Sequence, residues 1–373
     1  MRQTASAIIM IVMIGVIGCD DHDSNLPAPA PLPEPPPHRT EVFELQTIAR
    51  YGWEDLSESI RPLSTVERDV GGGMFSRAIA IDVDRLNNVY VLDADYKKIV
   101  IFDPAGRLAR VIVGGYGRGP GEFVEPREMA VGDNGEVFVL DVEADRVTEF
   151  DSSGNYRRSF EVIEAQPVFI EMLDGNVVLS RSPRKSAPHT LVVFDPSIGE
   201  RIDSLVLADE QSIDLSWGGA SGALGRGSLG SVIYMQGAPG VIHRIDSQGI
   251  DSIGRNLYPD SRTVTRRIGT TDVPSAPVAT RGIGTLPDGR YVVMYNEKTY
   301  VNNPQGHVVL KSSEMFLDVL DESGAYLGSA TLSTDDKSWG KLVVAPNGDL
   351  LFLVLDGLFM GVDRMRLIEK PAA

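Results

Sequence analysis

The sequence predicts an all-β protein and, within that class, a β-propeller. From residue 41 onward, short runs of β-branched and aromatic residues alternate with Asp-Gly, Asn-Gly and Ser-Gly turn signals, a pattern typical of strands. No helix-length stripe of apolar residues interrupts these runs. The pattern repeats at an offset of 48 residues. A period of about 40 to 50 residues with four strands is typical of a propeller blade.

The repeat is clearest in two motifs. Phe-Asp-Pro-Ala-Gly-Arg at 102–107 returns as Phe-Asp-Ser-Ser-Gly-Asn at 150–155, and Val-Leu-Asp at 91–93 returns at 139–141. Weaker copies of the first motif place an aspartate and a glycine between two strands at 194–199, 245–249 and 320–324. A tight turn before an apolar strand recurs at 133–135, 174–176, 288–290 and 346–348.

The N-terminus predicts export. Arg2 precedes an apolar and small-residue run at 5–18, which is shorter than the roughly 20 residues that a membrane-spanning helix needs. One basic residue, an apolar core and small residues before a cleavage site are typical of a secretory signal peptide, here residues 1–18. A cysteine, Cys19, follows this signal. It is either present there by chance, after an ordinary secretory signal, or it is the site of lipid attachment.

Val-Ile-Gly-Cys at 16–19 resembles the bacterial lipobox. This resemblance implies that the sulfur of Cys19 receives a diacylglycerol, that the chain is cleaved before it, and that the new N-terminus is acylated. Several acyl chains make a durable anchor. We therefore expect a lipoprotein on the bacterial cell membrane or outer membrane, with its domain facing the periplasm or the exterior.

Composition supports this compartment and excludes one class of partner. Cys19 is the only cysteine, so the chain has no disulfide framework. The formal net charge is −17, and removal of Arg2 with the signal makes it one unit more negative. Such an acidic chain without a Lys/Arg-rich stretch is not expected to bind nucleic acid.

Residues 19–40 form a proline-rich linker, with prolines at 27, 29, 31, 33, 35, 36 and 37. At about 3.1 Å per residue in polyproline II, roughly 20 residues can hold a domain up to ~60 Å from a bilayer. A docking site for a proline-reading domain is the alternative to a plain stalk. Asp20 and Asp21 resemble an inner-membrane retention signal, which leaves the choice between inner and outer membrane open.

Residues 41–370 are predicted to form one six-bladed domain. The alternating segment 41–49 would supply the fourth strand of the last blade, so that the two chain ends close the ring and hide its edge strands. We expect a monomeric propeller. The predicted blades are 75–113, 123–162, 168–207, 217–255, 278–332 and 339–368.

One blade carries a family resemblance. Gly-Arg-Gly-Pro-Gly-Glu-Phe at 117–123, Pro-Arg-Glu-Met-Ala-Val at 126–131, Val-Phe-Val-Leu-Asp at 137–141, and then Arg146, Phe150 and Gly154 resemble one NHL repeat. The resemblance is close over 71–160 and thins beyond it. It implies a six-bladed propeller. With the lipobox, the chain resembles NHL-like propeller lipoproteins, many of which have no assigned function.

Two glycine-rich segments do not predict a nucleotide site. Residues 114–121 lack the Lys-Ser/Thr ending of a phosphate-binding loop and precede no helix, so we interpret them as the crossover between blades. There Phe123 can pack between two sheets. Residues 225–230 match G-x-G-x-x-G by letter but follow no strand and open no helix. No cofactor is predicted.

The sequence likewise shows no pattern typical of a metal site or a catalytic site. His189, His243 and His307 could meet on the axis and hold zinc, but none shares a repeat position, so surface histidines are the favoured interpretation. Aspartates of the repeat, Asp82, Asp84, Asp93 and Asp141, are expected to bond turn amides rather than bind calcium. No metal site and no catalytic residue are predicted.

Four cations recur between blades. Arg77, Arg127 and Arg281 each lie five residues before Asp82, Gly132 and Leu286, and Lys341 lies within one residue of the same place. At the start of inner strands they would surround the axial funnel and attract a carboxylate-bearing ligand. The alternative is that each cation pairs with a neighbouring acid, such as Glu122, Glu125 or Glu128 beside Arg127, and only holds blades together.

Two functional classes follow. The first is a membrane-anchored binding or scaffold module for a protein, peptide or glycan ligand, because binding by a propeller needs only loops and shape. The second is a metal-dependent lyase or a lactonase-type propeller enzyme. Residues 295–315 and 217–230 are candidate ligand loops.

Overall fold

The structure is a computed structural model. It describes residues 40–52, 74–162, 167–181, 190–206, 223–228, 230–235, 242–253, 264–268, 271–275, 278–304, 307–334, 337–356 and 359–371. The predicted signal peptide, Cys19 and the linker up to residue 39 lie outside the described residues. Within these ranges, no helix has the length and apolar character needed to cross a bilayer.

The described chain is all-β and contains six four-stranded antiparallel sheets in chain order. Blade 1 contains β2 (Ala78–Val83), β3 (Val89–Asp93), β4 (Lys98–Phe102) and β5 (Leu108–Val113). Blade 2 contains β6 (Pro126–Val131), β7 (Val137–Asp141), β8 (Arg146–Phe150) and β9 (Tyr156–Glu161). Blade 3 contains β10 (Pro167–Leu173), β11 (Asn176–Arg181), β12 (Thr190–Asp195) and β13 (Glu200–Val206).

The second half of the ring follows the same plan. Blade 4 contains β14 (Ala223–Arg226), β15 (Val232–Met235), β16 (Ile242–Asp246) and β17 (Gly249–Ile253). A separate hairpin, β18 (Val264–Ile268) with β19 (Thr271–Ser275), precedes blade 5. Blade 5 contains β20 (Val278–Thr285), β21 (Tyr291–Asn302), β22 (Val308–Leu320) and β23 (Tyr326–Leu332). Blade 6 contains β24 (Lys337–Val344), β25 (Leu350–Asp356), β26 (Phe359–Glu369) and β1 (Phe43–Tyr51).

Closure of the ring by an N-terminal strand is confirmed. β1 pairs with β26 antiparallel, from Phe43 opposite Glu369 to Tyr51 opposite Val362. The strand begins and ends two residues later than the segment predicted from the sequence. Pairing both chain ends in one sheet leaves blade 6 complete, so the ring is closed without a disulfide.

The core lies between blades. In the described residues, six clusters of buried apolar side chains each combine residues of two adjacent blades. The cluster between blades 6 and 1, for example, contains Leu351 beside Val83 and Phe102. Each innermost strand also packs against the innermost strands on its two sides. Because every blade buries its faces on two neighbours, the six sheets form one closed propeller.

The repeated aspartates build turns and loop anchors, as predicted for Asp84, Asp93 and Asp141. Asp93 Oδ1 accepts hydrogen bonds from the amides of residues 77, 95 and 96, and Asp84 Oδ1 accepts from the amides of 86 and 88. Asp103 and Asp151 each accept from the amides two and four residues onward. The glycine that follows adopts a φ of +84°, which favours a residue without Cβ.

The strand directions define two faces of the ring. We call the upper face the one where the innermost strands begin, and the lower face the one where they end. Because neighbouring strands are antiparallel, the connections between blades and the turns between the second and third strands lie on the upper face. The turn between β21 and β22 therefore lies there, where both strands extend beyond the pairing with β20 and β23. Residues 295–315 are thus largely an extended hairpin.

Candidate functional site

A β-bulge near the start of the innermost strand recurs in five blades. The bulge lies between Ala78 and Ala80, Pro126 and Glu128, Pro167 and Phe169, Thr280 and Gly282, and Trp339 and Leu342. A bulge inserts an extra residue and redirects its side chain. The extra residues are Ile79, Arg127, Val168, Arg281 and the pair Gly340-Lys341. Arg127 and Arg281 therefore occupy equivalent positions.

The predicted equivalence of Arg77 with Arg127 is wrong by two residues. The amide of Asp84 donates to the carbonyl of Asn88, and the amide of Gly132 donates to that of Glu136, so Asp84 and Gly132 open equivalent turns. Asp82, from which the position of Arg77 was measured, lies two residues before Asp84 and does not correspond to Gly132. Ile79, not Arg77, matches Arg127.

Arg77 and Lys341 each pair with acids of the chain, which is the alternative to ligand binding that the sequence left open. Arg77 Nε lies 2.8 Å from Asp95, and its Nη2 lies 3.2 Å from Glu125 at the start of blade 2. Lys341 Nζ lies 2.6 Å from Glu128, and both side chains are largely buried. A ligand could therefore bind either cation only by displacing the acidic side chain that pairs with it.

Arg127 and Arg281 differ from the other two cations. Both are exposed, and within the described residues neither forms an ion pair or a side-chain hydrogen bond. The acids expected to neutralise Arg127 are engaged elsewhere. Glu125 binds Arg77, Glu128 binds Lys341, and Glu122 accepts from the amide of Gly119 at 2.8 Å.

The two arginines stand on opposite sides of the ring. Arg127 belongs to blade 2 and Arg281 to blade 5, and in a ring of six these blades face each other across the axis. We call the rim formed by the bulge residues of the innermost strands the upper mouth. It presents two guanidinium groups that can each bind a carboxylate with two parallel hydrogen bonds.

Below the upper mouth, five charged side chains fill the axis. This axial cluster consists of Asp82, Glu128, Glu171, Arg226 and Lys341, from five different blades. The three carboxylates are each less than a tenth exposed. Glu128, Glu171 and Arg226 occupy different positions of the repeat, so no sequence signal groups them.

The axial cluster covers the open backbone edges of the innermost strands. Asp82 accepts from the amides of Val83 at 2.8 Å and Val131 at 2.6 Å. Arg226 donates to the carbonyls of the same two residues, at 2.9 Å to Val83 and 2.5 Å to Val131. Unpaired strand edges are otherwise exposed to water or to other chains. Asp82 was expected to bond turn amides, but both amides that it binds belong to innermost strands, so this prediction is wrong for Asp82.

Arg226 connects blade 4 to three other blades. Its Nη2 lies 3.5 Å from Asp82 of blade 1 and 3.6 Å from Glu171 of blade 3, in addition to the carbonyl of Val131 in blade 2. The residue lies in the segment that matched G-x-G-x-x-G. Gly225 has a packing role, since a Cβ there would lie 2.2 Å from the carbonyl oxygen of Ile283. This segment is therefore partly innermost strand rather than a free ligand loop.

Burial shifts the acid–base behaviour of the cluster. Burial, with the nearby charge of Asp82, raises the pKa of Glu171 to about 7. Burial also raises the pKa of Glu128, against the opposing effect of Lys341. For Lys341, burial acts to lower the pKa, but the carboxylates of Glu128 and Asp82 outweigh it and raise the pKa. Burial therefore favours the protonated forms of Glu128 and Glu171, although each lies beside a cation of the chain.

The two described histidines, His243 and His307, lie outside the innermost strands. His243 is buried, contrary to its expected surface position; it stacks on Tyr234 with ring centroids 6.4 Å apart and shares a 3.1 Å hydrogen bond with Ser252. Burial lowers its pKa. His307 is exposed beside the β21–β22 turn, and His189 lies outside the described residues. Among described side chains, no three His, Cys, Asp or Glu residues are grouped to hold a metal ion.

Comparisons with known proteins agree with the propeller fold. A family model described as "DUF5128: 6-bladed beta-propeller" matches residues 79–170. The matched segment spans blades 1 and 2 and the start of blade 3. No curated protein matches the chain.

Solved structures with the same fold cover most of the chain. A member of the duf4221 family from Bacteroides vulgatus is 12% identical, with a TM-score of 0.59, over 89% of this chain and 100% of that one. A Bacteroides fragilis protein named "Putative exported protein" is 12% identical, with a TM-score of 0.53, over 88% and 96%. A streptogramin B lyase is 12% identical, with a TM-score of 0.48, over 87% and 98%. At these identities the likeness to the two Bacteroides structures is one of fold.

Proposed function

We propose that this protein is an envelope lipoprotein, anchored through Cys19, whose propeller binds an anionic ligand at the upper mouth. The observation that carries the proposal is the pair Arg127 and Arg281. They share one bulge position on opposite blades, they are exposed, and the acids beside Arg127 are paired with other groups. Lys341 and Arg77, which the sequence placed in the same site, have structural roles instead.

Electrostatics favour a non-catalytic role for this site. Two guanidinium groups on a chain of net charge −17 create a local positive region that concentrates anions at the mouth. Titratable groups suited to proton transfer lie deeper, in the axial cluster, where each carboxylate contacts a cation of the chain. A metal-dependent lyase or lactonase would need ligands that converge on an open position, and the described residues do not group in that way.

The anchor is supported by the lipobox and the linker. Thr40 immediately precedes the closing blade, so the proline-rich linker would connect Cys19 to β1 directly. A protein of the same fold from Bacteroides fragilis carries a name that describes export, which is consistent with a propeller that acts outside the cytoplasm. The ligand would then be a component of the envelope or the exterior.

The test measures binding of polyanions by the full-length chain in detergent. Oligogalacturonate and poly-L-glutamate serve as probes, with Arg127→Ala, Arg281→Ala and the double variant. Arg107→Ala is the matched control, because Arg107 is an exposed arginine at a lower-face turn. We expect the double variant to lose at least tenfold in affinity for one probe or both, and the control to lose none. Equal binding by all variants would refute the proposed site.

A further inference from the structure

We infer that the ligand of the upper mouth is an extended acidic peptide whose two carboxylate side chains bind Arg127 and Arg281 at the same time. This inference rests on the proposed function and specifies its ligand class. It follows from the arrangement of the bulge residues around the mouth and from the closed floor beneath it.

Two separate anionic groups are needed because the arginines lie on opposite blades. Arg127 lies on blade 2 and Arg281 on blade 5, so the axis of the ring lies between their two innermost strands. One carboxylate can form a bidentate pair with one guanidinium group at a time. A ligand with a single charge would therefore leave one arginine unpaired.

An extended peptide can present two carboxylates to opposite sides of the mouth. Such a chain advances about 3.3 Å per residue, so side chains four positions apart are separated by about 13 Å and lie on the same face. A Glu-X-X-X-Glu segment thus directs two well-separated carboxylates to the mouth.

The rim between the two arginines favours a peptide over a glycan. Among the described bulge residues, Ile79 and Val168 on either side of Arg127 are half-buried and apolar, and Lys341 of blade 6 is paired with Glu128. Apolar walls suit the aliphatic side chains of a peptide, whereas sugar rings bury many hydroxyl groups that would need polar partners. No aromatic side chain occupies a bulge position among the described blades.

The floor of the mouth makes the ligand lie across the ring. Lys341 and Glu128 form a 2.6 Å ion pair below the rim, and Arg226 closes the axis further down. Insertion of a carboxylate into the axis would have to displace a buried acid. A strand that crosses the mouth keeps these pairs intact.

The experiment compares labelled heptapeptides by fluorescence polarisation with the full-length chain in detergent. One peptide is Gly-Glu-Val-Ser-Val-Glu-Gly; a second replaces one Glu with Gln; a third places the two Glu residues next to each other. Tri-galacturonate is the glycan probe. We expect the first peptide to bind about tenfold more tightly than the second and third, because a second charged hydrogen-bonded pair contributes about that factor.

The variants separate this inference from the proposed function. Arg127→Ala and Arg281→Ala should each reduce the affinity of the first peptide to that of the single-Glu peptide, while Arg107→Ala should leave it unchanged. Equal affinity for all three peptides overturns the bridging inference, even if polyanions still need the arginines. Tighter binding of tri-galacturonate than of any peptide overturns the choice of a peptide. Loss of arginine dependence for every probe overturns the site itself.

Discussion

Glu171 should make the stability of the propeller fall as the pH rises through neutrality. Its carboxyl group ionises near pH 4.5 in the unfolded chain, and burial raises its folded pKa to about 7. Between these values the folded state holds a proton that the unfolded state has released, so unfolding is accompanied by proton loss. The free energy of unfolding contributed by this group is therefore fully present below pH 4.5 and decreases as the pH rises through 7.

The magnitude follows from the size of the shift. At about 1.4 kcal/mol per pKa unit, a shift from 4.5 to about 7 corresponds to a loss of about 3 kcal/mol between pH 4 and pH 8. Glu171→Gln removes this contribution because the amide does not ionise. Carboxylates far from the axial cluster titrate alike in both proteins and cancel in the difference.

The assay is urea denaturation of the full-length chain, followed by circular dichroism at pH 4, 5, 6, 7 and 8. The quantity compared is the free energy of unfolding of Glu171→Gln minus that of the unmodified protein. We expect this difference to rise by about 3 kcal/mol from pH 4 to pH 8. Glu322→Gln, an exposed residue at the β22–β23 turn, is the matched control for the substitution itself. A flat difference for Glu171→Gln would refute the reasoning.

Three further predictions concern the axis, the closure and the anchor. Arg226→Met should destabilise the fold by about 3 kcal/mol or more in urea denaturation, because it leaves Asp82 and Glu171 buried without their cation. Arg244→Met in the same blade is the control. It should lower the free energy of unfolding by under ~1 kcal/mol, because Arg244 pairs with the exposed Asp251. Asp349→Ala should lower the urea midpoint strongly, since Arg364 and Arg366 both bind this buried carboxylate in the closing blade; an unchanged midpoint would contradict its role. Cys19→Ser should move the protein from the membrane fraction to the soluble fraction and abolish labelling by an alkynyl fatty acid, and membrane retention would contradict the anchor.

The sequence determined the blade plan. Repeated Asp-Gly turns and the offset between Val91 and Val139 are local signals, since a strand length and its turn chemistry are set by a few neighbouring residues. The closing strand could also be predicted, because β1 supplied an alternating pattern and the last block had only three strand candidates. Phe123 was correctly expected between sheets, and it is fully buried beside Phe150.

Only the tertiary structure decided which charged residues meet. The 48-residue offset of the repeat already places Ile79, not Arg77, in the position of Arg127, so that misalignment could have been avoided from the sequence. The bulge that Arg127 and Arg281 share depends on the register between the first and second strands of each blade. The axial cluster joins Glu128 to Lys341 across more than two hundred positions of the chain. Its members come from different positions of the repeat. Every blade converges on the axis, so a charge on one innermost strand can be balanced by a charge on any of the other innermost strands.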